Sequence, residues 1–271
     1  MKHSKYNHIK QIVETNIPVL LEGEAGVGKT TIAKQLASDL NLKFSTTALT
    51  KQTSMNALLG FISVNGDYVP SQFRRAIEEG HLFLLDEINA ADANTLLCMN
   101  SLENGYIAFP DEVIQVHHNF RLIAAGNPNE EGALYTGRSK LDFSTEDRFH
   151  TIHLDRDPEL EAELTSLEIA AEANILRNFL KSQGSTIQVT MRATTIAHRL
   201  RNIDQDSLLN TVFCKPKHEE LKTKFLSERK EQLAKHTEEL AELKKQEGYN
   251  AKTQHEVDTL DELWQKIQAG K

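Results

Sequence analysis

Cysteine is scarce in this sequence, with two residues in 271, and long apolar runs are missing. Cys98 and Cys214 stand beside apolar neighbours, so we expect both to be small packing residues and not a disulfide pair. No run approaches the ~20 apolar residues of a membrane span, and the first residues form no signal-peptide core. These absences predict a cytoplasmic protein that does not enter a membrane.

An excess of positive charge is also lacking. The formal net charge is −8 and the basic residues are dispersed, which argues against a general nucleic-acid-binding surface but leaves a local basic pore open. The eleven histidines include the neighbours His117 and His118 and the nearby pair His150 and His153. None stands at a metal-ligand spacing from cysteines or carboxylates, so we expect surface or strand histidines and no structural metal.

Short apolar runs alternate with helical patterns through the first half of the chain. Helical patterns such as residues 91–104 separate five runs with the length of buried strands, at residues 17–22, 43–47, 81–85, 120–125 and 151–154. This alternation predicts an α/β fold with a five-stranded parallel sheet flanked by helices, at residues 1–157. A small helical domain is expected at residues 158–214, where residues 159–182 and 191–201 have helical patterns. A charged helical tail is expected at residues 215–271.

A glycine loop follows the first predicted strand. Residues 23–30 fit the pattern G-x-x-x-x-G-K-[ST], after a strand and at the start of a helix, which is the setting of a phosphate-binding loop. Glycines allow several backbone N–H groups to point inward and cradle phosphate oxygens. The alternative is a glycine turn that only starts a helix. The predicted nucleotide-binding residues are Gly23, Glu24, Ala25, Gly26, Val27, Gly28, Lys29, Thr30 and Thr31, with Lys29 on the β- and γ-phosphates of ATP and Thr30 on Mg²⁺.

Two adjacent acids end the third apolar run. Asp86 can reach the Mg²⁺ shell from the end of a buried strand, and Glu87 can polarise a water in line with the γ-phosphate. Acids at a strand end are often only a helix N-cap, which is the competing interpretation. Because a phosphate loop precedes the pair in this chain, we favour a metal ligand at Asp86 and a general base at Glu87.

The chain resembles the MoxR-type branch of the AAA+ ATPases. This is the helix-2-insert group, which includes gas-vesicle, nitric-oxide-reductase and Rubisco-activation ATPases. The resemblance covers roughly residues 5–210. Residues 86–91 are similar to the family's D-E-I-N-[RK]-A stretch, with Ala90 in place of the usual basic residue. Residues 58–73 resemble the family's insertion in the second helix, a hairpin that faces the ring pore. Residues 105–111 resemble a second hairpin that is also expected at the pore.

The resemblance also implies functional residues beyond the loop and the acids. Asn127 ends a strand and would orient the attacking water, Arg148 in Asp-Arg-Phe would reach the γ-phosphate of the neighbouring subunit, and Arg192 would lie over the phosphates when a helical lid closes. Arg138 and Arg156 are weaker candidates for the intersubunit role. The competing interpretations are turn chemistry before a proline for Asn127, a surface ion pair for Arg148 and a common helix-start arginine for Arg192.

The function that the resemblance implies is mechanical. We expect a homo-oligomeric ring, a hexamer, that hydrolyses ATP with Mg²⁺ and remodels a client protein, such as a von Willebrand A domain protein. One alternative is a helix-2-insert motor on DNA or RNA that uses ATP or GTP. The first hairpin argues little for it, because residues 63–68 carry Asp67 and no lysine or arginine. The other alternative is a nucleotide-gated scaffold with little turnover.

Overall fold

The computed structural model of the chain describes residues 1–127 and 146–229, apart from the side chains of residues 93 and 94. These residues belong to two units, one from Lys2 to Asp157 and the other from Pro158 onward. In the parts of the chain that are described, no helix is long and apolar enough to cross a bilayer. Arg138 and most of the predicted tail lie outside the described residues.

The first unit is built on a parallel sheet of five strands, as the sequence predicts. The strands of this unit are β1 (Val19–Gly23), β2 (Phe44–Ala48), β3 (Phe61–Ile62), β4 (Tyr68–Val69), β5 (Leu82–Asp86), β6 (Tyr106–Ala108), β7 (Val113–Gln115), β8 (Arg121–Gly126) and β9 (His150–Leu154). The order in the main sheet is β2-β5-β8-β1-β9, and every pairing in it is parallel. Two short antiparallel hairpins, β3–β4 and β6–β7, stand apart from that sheet.

Helices cover both faces of the main sheet. They are α1 (Tyr6–Glu14), α2 (Lys29–Asp39), α3 (Met55–Leu59), α4 (Gln72–Glu79) and α5 (Ala93–Leu96), with 3-10 turns η1 (Ile88–Ala90) and η2 (Leu97–Asn104). Alternate residues of β5 enter opposite cores: Phe83 and Leu85 pack with α3, α4 and η2, whereas Leu82 and Leu84 pack with α1 and α2. A strand that is buried on both faces is apolar at every position, which is why the pattern was visible in the sequence.

The helical stretch expected at residues 91–104 is mostly not an α-helix. It contains one turn of α5 and then the eight residues of η2. The apolar residues Leu96, Met99 and Leu102 recur every three positions, and all three face the core. A spacing of three matches the 3.0 residues per turn of a 3-10 helix, whose residues i and i+3 eclipse. The expected stretch is therefore helical, with 3-10 geometry over most of its length.

The second unit is helical. Its described elements are α6 (Pro158–Leu164), α7 (Leu167–Ser182), α8 (Met191–Leu200), α9 (Ser207–Val212), η3 (Pro216–His218) and a helix at residues 219–229. The helix expected over residues 159–182 is two helices, because the Ser166 hydroxyl accepts a hydrogen bond from the Ile169 N–H and starts a new one. Cys214 is exposed, so its expected packing role was wrong, whereas Cys98 is half-buried.

One buried ion pair organises this helical unit. The Glu161 carboxylate is almost fully buried and accepts hydrogen bonds from both terminal nitrogens of Arg177, at 3.0 and 2.7 Å. It also accepts one from the Thr194 hydroxyl at 2.9 Å. Residues of α6, α7 and α8 therefore meet at one carboxylate, and the paired guanidinium offsets the cost of burying its charge.

Candidate active site

The site is assembled where three strands of the main sheet end together. β8 lies between β1 and β5, with Glu22 opposite Gly126 and Leu85 opposite Ala124. The glycine loop, the two acids and Asn127 lie at the ends of these strands and in the residues that directly follow them. Parallel strands present their carboxyl ends at one edge of a sheet, and ligands of open α/β sheets bind outside that edge. The register therefore brings the predicted loop, acids and amide to a single place.

The glycine loop has the backbone that a phosphate cradle requires. Gly26 and Gly28 have φ of 87° and 98°, in the left-handed region that favours glycine. Gly28 precedes α2, so the first N–H groups of this eleven-residue helix open toward the loop. Gly23 lies so close to β9, its neighbour in the sheet, that a Cβ atom on Gly23 would lie 2.4 Å from the Leu154 carbonyl oxygen. The loop is thus held tightly against β9 at its start and is open above α2.

Lys29 links the glycine loop to the strand that carries Asn127. Its ammonium donates hydrogen bonds to the carbonyl oxygens of Gly23 and Glu24 and, at 2.8 Å, to the Asn127 side-chain oxygen. The side chain is therefore folded over the loop and directed at the edge where the strands end. An ammonium in this position can meet an anion held by the loop amides.

Thr30 and Asp86 form an oxygen pair beside the loop. The Thr30 hydroxyl donates to an Asp86 carboxylate oxygen at 3.2 Å, and both side chains are half-buried. Hydroxyl and carboxylate oxygens are the ligands that Mg²⁺ prefers, and few protein ligands suffice because Mg²⁺ keeps several waters and binds substrate phosphates. The chemistry of these two groups fits the predicted metal.

Glu87 lies next to Asn127 in a strained backbone conformation. Its φ of 58° is left-handed, which is uncommon for a residue with a side chain. The Asn127 amide nitrogen is 3.4 Å from a Glu87 carboxylate oxygen, while the oxygen of the same amide accepts from Lys29. Asn127 is thus the bridge between the ammonium and the carboxylate.

Asn89 is a supporting residue whose role the sequence did not reveal. Its side chain is buried, and its amide nitrogen donates to the Asn127 backbone oxygen at 3.3 Å. Its side-chain oxygen has no hydrogen-bond partner among the described residues and occupies the space over Gly126, where a Cβ would come within 2.0 Å. Asn89 belongs to the stretch that resembles the MoxR-type sequence, which was the available signal.

The other predicted residues take different places. Val27 is buried, whereas Glu24 and Thr31 are exposed on the loop and on α2. Arg148 precedes the amino end of β9 and so does not join the constellation at the carboxyl ends. Its guanidinium bonds Glu103 at 2.6 Å and the Asn100 carbonyl at 3.4 Å beside a cavity of about 210 Å³ lined mostly by apolar residues. Arg192 is exposed in the first turn of α8, in the second unit.

The glycine loop, the strand-end acids and the sheet order together define a P-loop nucleotide-binding domain with the AAA+ α/β fold. Residues 18–149 match the family model described as the AAA domain of the dynein-related subfamily. The match lies within the first unit, which is therefore similar to AAA domains of that subfamily.

Similar proteins are found among curated sequences and solved structures. Midasin of Dictyostelium discoideum is 30% identical over 171 residues, which are 60% of this chain but 3% of midasin. An uncharacterised protein of Staphylococcus aureus (strain USA300) is 28% identical over 204 residues, covering 68% of this chain and 69% of that protein. The crystal structure of a candidate ATPase from Cytophaga hutchinsonii is similar with 20% identity and a TM-score of 0.47, covering 78% of this chain and 74% of that one.

Proposed function

We propose that this chain is an ATP-hydrolysing AAA+ motor of the MoxR-like branch that assembles into a hexameric ring and remodels a partner protein. The observation that carries the proposal is the chain of contacts from Lys29 through Asn127 to Glu87, beside the pair of Thr30 and Asp86. A merely structural glycine turn would not need an ammonium, an amide and two acids around its open side. Such a set is what phosphoryl transfer to water requires.

Each residue then has a chemical role. Lys29 and the loop amides bind the β- and γ-phosphates of ATP, and Thr30 and Asp86 hold Mg²⁺, which when bound neutralises phosphate charge. Glu87 accepts a proton from the attacking water, and Asn127 orients the Glu87 carboxylate and that water through its amide. Glu87 follows the end of β5 directly after Asp86, and its carboxylate lies 3.4 Å from the Asn127 amide nitrogen.

The ring is proposed because Arg148, the candidate for the arginine that hydrolysis calls for, is not in this constellation. Arg148 precedes the amino end of β9, and we propose that it serves the site of a neighbouring copy. A guanidinium that reaches the γ-phosphate from a neighbour offsets transition-state charge and makes turnover depend on assembly. Arg192, in the helical unit, is proposed to act as the lid residue. The MoxR-like placement rests on residues 86–91 and on the two hairpins.

A protein partner is favoured over a nucleic acid by the charge of the hairpins. The segments 61–69 and 106–115 carry Asp67, Asp111 and Glu112 and no lysine or arginine. Phosphate backbones are bound chiefly by basic side chains, so these hairpins suit a polypeptide. A von Willebrand A domain protein is the client that the MoxR-like resemblance implies.

Two substitutions test the assignment of the site. Lys29→Ala should weaken binding of a fluorescent ATP analogue by about 100-fold or more, because the phosphates lose their positively charged partner. Glu87→Gln should keep that binding and lower steady-state ATP turnover by about 100-fold or more. Lys34→Ala, on the exposed side of the same helix, is the matched control and should resemble the parent. Turnover at the parental rate in Glu87→Gln would remove Glu87 from the role of base.

A mixing experiment tests the ring. Arg148→Ala and Lys29→Ala subunits should each hydrolyse poorly alone. In a mixed ring, an intact phosphate loop can face a neighbour that still has Arg148, so part of the activity should return. Native mass spectrometry would establish that mixed rings formed. No recovery in such rings would rule out action in trans, and full ATPase activity in a strictly monomeric parent would rule out the ring.

A further inference from the structure

Arg74 on α4 is a buried charged side chain outside the active site with several partners. It is 7% exposed and points between the two hairpins. Its nitrogens donate to Glu78 of its own helix at 2.8 Å, to Asp111, and to Glu112 at 2.7 Å. Burial alone lowers its pKa, but hydrogen bonds to Glu78, Tyr68 and Asp111 outweigh burial and hold the pKa of Arg74 above its ordinary value. The guanidinium therefore stays charged.

The same guanidinium stacks on one aromatic ring from each hairpin. Its central carbon lies 4.4 Å from the centre of the Tyr68 ring, in β4, and 5.2 Å from that of Phe109, in the loop after β6. Arg74 thus touches the first hairpin through a ring and the second through a ring and two carboxylates. A planar, always charged group suits this combination of stacking and forked hydrogen bonds, which a lysine could not reproduce.

The base of the first hairpin is fixed independently. The Tyr68 hydroxyl donates to the Leu59 carbonyl at 2.6 Å. Gly60, with φ of 75°, lies so close that a Cβ there would meet the Val69 carbonyl oxygen at 2.4 Å. The tip is held only by hydrogen bonds within its own turn, between Ser63 and Asp67 and from the Gly66 N–H to the Ser63 carbonyl, and Val64 is fully exposed there. One end of the hairpin is therefore rigid and joined to Arg74, while the other projects into solvent.

The outer surfaces of the two hairpins are apolar and acidic. Single exposed hydrophobic residues are ordinary, but a cluster of them marks an interaction site. The exposed apolar side chains here are Phe61, Ile62, Val64, Val69, Tyr106 and Val113. The hairpin segments also carry the three carboxylates of Asp67, Asp111 and Glu112, which outnumber the Arg74 guanidinium and leave an excess of two negative charges. We call this set of residues the hairpin face.

We propose that Arg74 joins the two hairpins into one hairpin face that binds an extended polypeptide segment rich in apolar and basic residues. The apolar side chains favour a partner that can bury them, and the acidic surroundings favour positive charge on it and repel phosphate. The inference rests on the proposed remodelling of a protein and adds the chemistry of the segment that is held. Arg74 is a positioning residue in it, since it contacts both hairpins and is itself covered.

Binding can be measured without any hydrolysis, which separates this inference from the proposed ATPase. Fluorescence anisotropy would compare a labelled peptide of leucine, serine and lysine, the same peptide with glutamate for lysine, and single-stranded DNA of equal length. The lysine peptide should bind about tenfold or more tightly than the glutamate peptide, and the DNA should not compete. Equal or tighter binding of the acidic peptide or of DNA would overturn the assignment of the partner.

Substitutions locate the binding on the hairpin face. Val64→Ser should lower the affinity for the lysine peptide by about fivefold, because the contact of a fully exposed apolar side chain with the peptide is lost. Ile203→Ser removes a similarly exposed apolar side chain from the helical unit and should leave binding as in the parent. An unchanged Val64→Ser, or an equal loss in Ile203→Ser, would mean that the peptide binds elsewhere.

The role of Arg74 needs a variant that remains folded. Arg74→Met keeps an extended side chain between the rings but loses three ion pairs. The variant should bind the lysine peptide about tenfold more weakly and should still bind the ATP analogue. Arg74→Lys should recover only part of the affinity. If Arg74→Met fails to bind nucleotide, the double variant Asp111→Asn, Glu112→Gln separates the hairpins instead. Parental peptide binding in a variant that retains nucleotide would exclude a positioning role.

Discussion

We call the edge of the main sheet where β1, β5 and β8 end the phosphate-loop edge. This edge and the hairpin face hold their side chains in place by different means. At the edge, three buried parallel strands in register deliver the loop, the acids and Asn127 to one place, and glycines at 23 and 126 allow the close approaches. The hairpins have strands of two or three residues, too short to be stable alone, and depend on one buried arginine. The first device depends on backbone packing, the second on a charged side chain.

The largest effect should come from adding one methyl group to the edge. In Gly23→Ala, the new Cβ would lie 2.4 Å from a backbone oxygen of β9, which cannot move without separating two paired strands. We expect a loss of about 3 kcal/mol in the free energy of unfolding, measured by urea denaturation, together with weaker binding of the ATP analogue. Gly66→Ala, whose Cβ would meet open space, should cost only about 1 kcal/mol for its left-handed backbone. Equal costs would show that the close approach is unimportant.

A smaller effect should follow from removing the support beneath Asn127. Asn89→Ala loses the amide that donates to the Asn127 backbone oxygen, so Asn127 and Glu87 are held less well. We expect turnover to fall by about tenfold with unchanged affinity for the ATP analogue, the pattern of a group that acts on the transition state only. The exposed Asn119 offers the control Asn119→Ala. A change in affinity and not in turnover would place Asn89 in nucleotide binding.

The smallest effects should come from single carboxylates on the hairpin face. Asp111 is 27% exposed and Glu112 is 59% exposed, and both pair with Arg74. Asp111→Asn should cost about 1 kcal/mol in thermal unfolding, and Glu112→Gln less than about 0.5 kcal/mol, because water screens the more exposed pair. The reverse order would show that exposure does not rank these two ion pairs.

The sequence predicted the edge far better than the hairpin face. Buried strands are apolar throughout, and the glycine loop has a fixed spacing, so local patterns were enough to indicate the sheet and Lys29. Arg74 and Asp111 are far apart in the chain, and the resemblance of residues 105–111 to a hairpin names no partner for Asp111, so only the fold shows that the two side chains meet. The same is true of Glu103 and Arg148. The helical stretch at residues 91–104 was also predicted, but the prediction did not distinguish the 3-10 helix η2 from an α-helix.

The left-handed backbone at Glu87 lowers the stability of the fold, whereas the Glu87 carboxylate is the proposed base for hydrolysis. For a residue with a Cβ that conformation costs about 1 kcal/mol, which glycine would avoid. A library selected only for resistance to heat should therefore be enriched in replacements of this carboxylate, and with Glu87 as the proposed base the enriched clones should have lost ATP hydrolysis. Laboratory evolution of a more robust form must select for turnover at the same time, since position 87 is where the two goals diverge.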